Sequence, residues 1–254
     1  KNFGTNRILP NELWQLGTSS ALSDFVWSSI GGDGTFGHDA RYYQTRVLGN
    51  YDAKGHLLEW NKTDDQVSSF LYWNGTGTAV AYAQNAVSGE IAYTSFEIPG
   101  QMSSAHNGNW TILGANNPAD WNTAAGYFHT GKTGYKIGTA HFLSRTGLPS
   151  GKYVVSFFYR DGQIKVNAVT IGAAATSSWQ YAETVIDVTG GSVVLQGAVT
   201  ASYIDEVRLY PADALMRTIT PDNNSLLPLS MSDENSVPAH YEYDKLQRLQ
   251  VIRD

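Results

Sequence analysis

The sequence predicts an all-β protein of more than one unit, and three observations lead there. Its 254 residues suffice for one large or two modest domains with real cores. Only 16 % are charged while glycine (25), tyrosine (15) and tryptophan (7) are abundant, which suits glycine-punctuated strands carrying aromatics rather than helices rich in Glu, Lys and Leu. Short apolar and aromatic runs recur along the chain, separated by turn-forming residues.

In residues 1–92 the runs are Val26-Trp27, Tyr42-Tyr43, Leu57-Leu58-Glu59-Trp60, Phe70-Leu71-Tyr72-Trp73 and Val80-Ala81-Tyr82. Between them lie Gly31-Gly32-Asp33-Gly34 and Asn74-Gly75-Thr76-Gly77, whose residues tolerate positive φ and suit hairpin loops. The stretch reads as a strand-turn meander. Asp33–Asp39 has a loose likeness to a calcium loop but lacks the regular Asp-x-Asp-x-Asp-Gly order, so it reads as a turn. From Glu90 to Tyr210 the strands lengthen, with Gly151–Tyr159 the clearest, followed by 163–170, 179–188 and 192–195. An antiparallel sandwich over 93–211 accommodates them.

Charge and residue usage remove several functions. A formal charge of −6, with 23 acidic and 17 basic residues and no basic stripe, argues against nucleic acid as a partner. No apolar run approaches the roughly 20 residues of a membrane span, so membrane insertion is not expected. Cysteine is absent, which excludes disulfides, thiolate metal sites and cysteine nucleophiles. The abrupt start at Lys1-Asn2-Phe3 and the end at Ile252-Arg253-Asp254 read as cuts from a longer polypeptide.

Two segments share a pattern: Tyr51-Asp52-Ala53-Lys54-Gly55-His56-Leu57 and Tyr243-Asp244-Lys245-Leu246-Gln247-Arg248-Leu249. In the first, Asp turns the chain, Gly sits at the tip, and Tyr and Leu pack across the hairpin. Both resemble the YD repeats of RHS-type proteins, large bacterial surface polypeptides built from β-hairpins wound into a spiral shell. The second departs at Gln247, where the family prefers glycine, which puts its tight tip in question. The resemblance implies a secreted or cell-surface bacterial location and the remainder of a parent polypeptide as partner, with YD-type segments over 1–92 and 212–254.

Residues 93–211 resemble the jelly-roll carbohydrate-binding modules found beside glycoside hydrolases. The landmarks are Phe96-Glu97, Gly108-Asn109-Trp110, Thr130-Gly131-Lys132, Tyr153–Phe157, Trp179-Gln180-Tyr181 and Ile204–Leu209, in the family's order. The fold expected is therefore an antiparallel jelly-roll β-sandwich flanked by YD-type β-hairpin segments, and the partner expected is a polysaccharide or glycan. Flat rings that can stack on a pyranose are Trp110, Trp121, Tyr127, Tyr159, Trp179 and Tyr181, of which Trp110, Trp121, Tyr159 and Trp179 are taken as the ligand-binding candidates. Asp161, Gln163 and Lys165 flank a turn and offer polar contacts. Glu97 and Asp205 lie near the first and last strands of such a sandwich, where two carboxylates converge. The resemblance implies that a structural calcium is the cofactor they would hold, with the Gly131-Lys132 loop giving a carbonyl and Ser95 a further oxygen.

Catalysis finds little support. Glycoside hydrolysis needs two carboxyl groups in a cleft, and Asp161, Glu183, Asp187 and Glu206 are the sandwich's candidates without a recognisable acid–nucleophile context. The six histidines show no metal-ligand spacing, and no nucleophile elbow, P-loop or dinucleotide fingerprint occurs. The sequence thus reads as a non-enzymatic recognition or scaffold unit. One alternative is a purely structural part of a cage around a toxin; a polysaccharide-active hydrolase is the other.

Overall fold

The computed structural model describes residues 8–63, 65–73, 76–114, 117–198 and 202–254; the Asn74-Gly75 loop tip and the Lys1-Asn2-Phe3 start lie outside these. The chain is all-β: its one named helical element among the described residues is a 3-10 turn at Pro118–Asp120, and no helix there is long and apolar enough to cross a membrane. It divides into two compact units, Lys1–Val67 and Ser68–Asp254. Within Ser68–Asp254, residues on both sides of 93–211 pack with the sandwich.

In the first unit, β1 (Glu12–Leu16) pairs antiparallel with β4 (Tyr42–Leu48), and β4 with β5 (Glu59–Asn61). A small hairpin joins β2 (Ser29–Ile30) to β3 (Phe36–Gly37) across the Gly31–Gly34 turn.

The second unit contains three stacked layers. The sandwich has one sheet in the order β15 (Val169–Ile171), β14 (Ile164–Val166), β17 (Ser192–Gly197), β12 (Phe142–Thr146), β9 (Thr111–Leu113). Its other sheet runs β10 (Trp121–Asn122), β11 (Gly134–Ile137), β18 (Ser202–Pro211), β13 (Gly151–Arg160), β16 (Gln180–Val188), and β8 (Ala92–Thr94) pairs with the far end of β18. All named pairings are antiparallel, as expected. A third layer consists of β6 (Val67–Tyr72), β7 (Ala79–Gln84), β19 (Leu215–Pro221), β20 (Pro228–Ser232), β21 (Pro238–Tyr243) and β22 (Leu249–Arg253), in that order.

Strand alternation explains the stack. On β13, Tyr153, Val155, Phe157 and Tyr159 enter the sandwich core with Ile204, Val207 and Leu209 of β18 and Leu143, Ile164 and Leu195 of the facing sheet. Val154 and Tyr210 point the opposite way and join Leu71, Trp73, Val80, Ala83 and Met216 in a second core beneath the third layer. Where this second core covers it, the middle sheet is therefore buried on both faces.

The YD-type segments form the same turn twice. Asp52 N–H donates to the His56 carbonyl (3.0 Å), and Gly55 N–H to the Asp52 carbonyl (3.0 Å). The Asp52 Oδ1 accepts from Lys54 N–H (2.8 Å) and His56 N–H (2.9 Å). Asp244 makes the corresponding four bonds with Arg248, Gln247 and Leu246, at 2.8–2.9 Å. Both tyrosine hydroxyls donate to a proline carbonyl, Tyr51 to Pro10 (2.6 Å) and Tyr243 to Pro228 (2.9 Å). The tip questioned at Gln247 is formed, with Gln247 at φ +62° where Gly55 has +92°. A third such turn follows Asp233, with Ser236 at φ +64°, 11 residues before Asp244.

Candidate functional site

Two places gather the chemically interesting side chains of the second unit. One is a buried acid cluster on the outer face of the middle sheet. β18 carries a bulge: its register against β13 slips between Ser156 and Phe158, and Glu206 adopts φ +53°. The bulge puts two successive carboxylates, Asp205 and Glu206, on the face away from the sandwich core, and both are buried. Asp205 Oδ2 accepts from His129 N–H (2.8 Å) and Thr130 N–H (3.0 Å), while its Oδ1 accepts from Glu206 N–H (2.8 Å). Glu97 Oε1 accepts from Lys132 N–H (2.9 Å) and Thr133 N–H (3.1 Å). Glu206 Oε1 receives the hydroxyls of Tyr93 (2.8 Å), Thr130 and Thr220. Lys132 reaches instead to Asp222.

The loop 129–133 is thus held by four amide hydrogens aimed at two carboxylates. Gly131 lies so close to Glu97 that a Cβ there would stand 2.1 Å from Oε1. Burial pushes Glu97 up to about 8, with the Glu206 charge adding to it and the two amide bonds opposing. Asp205 is raised well above the ordinary carboxylate range, first by burial and then by Glu206 and Glu97. Such a pair is relieved by protons or by a cation. The oxygens left for a cation are Glu97 Oε2 and the buried Ser95 hydroxyl, which has no hydrogen-bond partner among the described residues. No group of three or more Asp, Glu or His side chains there is arranged to hold a metal.

The other place is an aromatic face on the part of the middle sheet where the outer side opens to solvent. Phe158 and Tyr181 stand opposite each other on β13 and β16, their rings 5.3 Å apart. His129 stacks on Phe158 at 3.6 Å and 13°, and Trp179 lies edge-on to His129 at 5.9 Å. Tyr127 and Tyr203 form a neighbouring pair at 4.7 Å, and the Arg160 guanidinium sits 4.7 Å over Tyr127. Tyr181 is 42 % exposed, and Tyr127, Phe158, Trp179 and Tyr203 are half-buried. Trp179 Nε1–H donates to the Gly126 carbonyl (3.2 Å) and Tyr181 O–H to Glu183 Oε2 (2.6 Å), fixing both rings. Burial depresses His129 to about 4, so its ring is uncharged at neutral pH.

Of the four rings taken as ligand-binding candidates, the structure places three in the sandwich core. Trp110 is fully buried, with Nε1–H donating to the Val207 carbonyl (3.3 Å); Trp121 and Tyr159 are also buried. A ring with no face open to solvent cannot receive a sugar. Trp179 alone of the four remains available, joined by Tyr127 and Tyr181. Phe158, Tyr203 and His129 escaped the sequence reading, although strand parity held the signal: the unbroken apolar series Tyr153, Val155, Phe157, Tyr159 marks the inward face, leaving Phe158 with Arg160 outward. Gln163 donates to the Gly172 carbonyl (2.8 Å) and Asp161 is a turn residue at φ +63°, so both serve local structure. The four catalytic candidates Asp161, Glu183, Asp187 and Glu206 do not form one cleft, since Glu206 is buried under the third layer and Asp187 pairs with Lys152 at the surface.

No protein-family model matches the chain, and no curated protein matches it in sequence. Among solved structures, it is similar to the carbohydrate-binding module TmCBM61 in complex with beta-1,4-galactotriose, at 20 % identity over 46 % of this chain and 94 % of that one, with a TM-score of 0.32. It is also similar to a family 35 carbohydrate-binding module from Clostridium thermocellum (20 %, covering 41 % and 92 %, TM-score 0.28). A third likeness is to the module CBM6cm-2 from Cellvibrio mixtus lichenase 5A in complex with cellotriose (17 %, covering 48 % and 97 %, TM-score 0.29).

Proposed function

We propose that the chain is a non-catalytic recognition module that binds glycan chains through the aromatic face of Phe158, Trp179 and Tyr181. The observation that carries this reading is the gathering of solvent-facing rings, pinned by hydrogen bonds, on one open sheet surface. Rings so held lose little entropy when a sugar stacks on them, and the apolar face of a pyranose matches a flat π surface. The YD-type turns support a place within a larger RHS-type polypeptide at a bacterial cell surface, where rigid hairpins would display the module. Affinity electrophoresis of the whole chain in gels containing β-1,4-galactan or a soluble β-glucan tests the function. Retardation by at least one polymer, lost in Trp179→Ala and Tyr181→Ala, is expected. Migration unchanged in every polymer would overturn this reading and favour the purely structural role.

A second reading concerns a structural calcium held by Glu97, Asp205, Ser95 and carbonyls of the Gly131-Lys132 loop. It is favoured by the mutual repulsion of the buried carboxylates Glu97, Asp205 and Glu206, with the buried Ser95 hydroxyl, two residues before Glu97, left without a partner among the described residues. Melting curves with and without chelator decide it. A calcium-dependent rise in Tm, absent in Asp205→Ala, supports the ion; superimposable curves leave the cluster to protons alone.

A further inference from the structure

A different part of the second unit has the makings of a separate site. Between the Pro118–Asp120 turn and the β11–β12 turn lies a polar pocket of about 220 Å³, lined by Asn117, Asp120, Lys136, Thr139 and His141 with the backbone of Gly138 and Ala140. Asp120 is buried and pairs with His141 Nδ1. A carboxylate only accepts, so Nδ1 carries the hydrogen, and in the neutral ring Nε2 is left with its lone pair. Neither Nε2 nor the Lys136 ammonium nor the Thr139 hydroxyl has a partner among the described residues. The Asn117 carbonyl oxygen accepts from Ala119 N–H (3.1 Å), which leaves its NH2 free.

The pocket is built rather than incidental. Gly114, at φ +114°, abuts the turn so closely that a Cβ would stand 2.3 Å from the Ala140 carbonyl oxygen and 2.8 Å from His141 Cδ2. Within the turn, Gly138 N–H donates to the His141 carbonyl (2.9 Å), and Gly197 N–H donates to the Gly138 carbonyl (3.1 Å). Imidazole and turn are thereby held in one arrangement.

We propose that this pocket binds a single neutral sugar residue, free or at the end of a chain, by its hydroxyl groups. Neighbouring hydroxyls each donate and accept, and the unused groups here are complementary: Lys136 and Asn117 donate, His141 Nε2 accepts, and Thr139 does either. The charges of Lys136 and Asp120 offset each other, so an ionic ligand gains no net field. No Phe, Tyr or Trp ring lines the pocket, and its volume of about 220 Å³ accommodates one hexose rather than a run of them. Selection therefore rests on hydroxyl geometry, independently of the aromatic face. Asp120 acts as a positioning residue that keeps His141 an acceptor.

The test is an amide chemical-shift titration of the whole chain with D-galactose, D-glucose and D-mannose at millimolar concentration. Saturable shifts at Gly138, Thr139, Ala140 and His141 are expected for at least one hexose. Lys136→Met and His141→Phe should each weaken binding at least tenfold, whereas Tyr181→Ala should leave it unchanged. Asp120→Asn, which can donate to Nδ1 and move the ring hydrogen to Nε2, should weaken binding with the backbone spectrum otherwise retained. Titration with the polymer of the responding hexose at equal mass separates the sources: a chain end predicts a response scaled to the number of ends. An equal response per residue would overturn single-residue binding. Absence of saturable shifts with all three hexoses, or full affinity in Lys136→Met, would overturn the site, and neither outcome touches the aromatic face.

Discussion

Between Ile204 and Leu209, the two sides of β18 are buried by different chemistry. Toward the sandwich, β18 contributes Ile204, Val207 and Leu209 to a core of aliphatic and aromatic side chains. Toward the third layer it contributes Asp205, Glu206 and Arg208, all buried, alongside Tyr210. There Arg208 donates to the carbonyl of Asp233 (2.9 Å) and the hydroxyl of Thr218 (2.7 Å), and Thr218 and Thr220 extend from β19 into the same network. The apolar face gains from removed water and tolerates any shape that fills it. The polar face gains little net energy per bond, but it admits few arrangements, since an unmatched buried group is costly. The outer face also buries the second apolar core around Val154 and Tyr210, and its hydrogen-bonded groups restrict how the third layer registers on the sandwich.

Mutation should separate the two faces. Ile204→Ala or Leu195→Ala removes apolar volume from the closed core and should cost about 2–5 kcal/mol by denaturant unfolding. Glu206→Ala should cost less, about 1–3 kcal/mol, and Glu206→Gln less again, because an amide oxygen still accepts from the hydroxyls of Tyr93, Thr130 and Thr220. If Glu206→Ala proved as damaging as the core truncations, the division of roles between the faces would be wrong.

Acidity addresses the polar face alone. Glu97 is raised from 4.5 to about 8 in the folded protein, so over that range the native state holds a proton the unfolded chain has lost. Stability from this group is full below about 4.5 and falls as pH rises toward 8. Asp205 acts in the same direction. His129, lowered from 6.5 to about 4, acts oppositely, and its gain is complete by pH 6.5. The interval from pH 6.5 to 8 therefore isolates the carboxylates: Tm should fall across it in the wild type, and the slope should flatten in Glu97→Gln. A wild-type Tm constant over that interval would show that the cluster is already charge-compensated.

The smallest effect belongs to the YD-type turns. Gln247 holds φ +62°, a conformation that costs a side-chain-bearing residue roughly 1 kcal/mol. Gln247→Gly should accordingly raise stability by up to about 1 kcal/mol, and Gly55→Ala should lower it by a similar amount, both read from denaturant midpoints. Equal stability of Gln247→Gly and wild type would mean that the Asp244 bonds alone define the tip.

Much of this was legible in the residues themselves. Local rules fixed the strands and the Asp-led turns, because alternation and turn chemistry act over a few positions. Glu97 and Asp205 lie 35 and 75 residues from their amide donors in the 129–133 loop, and only the resemblance to carbohydrate-binding modules suggested that they meet it. Which rings remain open to solvent was not local. Tyr159 and Phe158 are adjacent and similar in composition, yet one residue of parity sends the first into the core and the second onto the surface. The Glu206 bulge, the third layer over β18 and the pairing of Asp120 with His141 bring together residues far apart in the chain. Those arrangements were decided only by tertiary packing, since it alone determines which polar groups must find partners away from water.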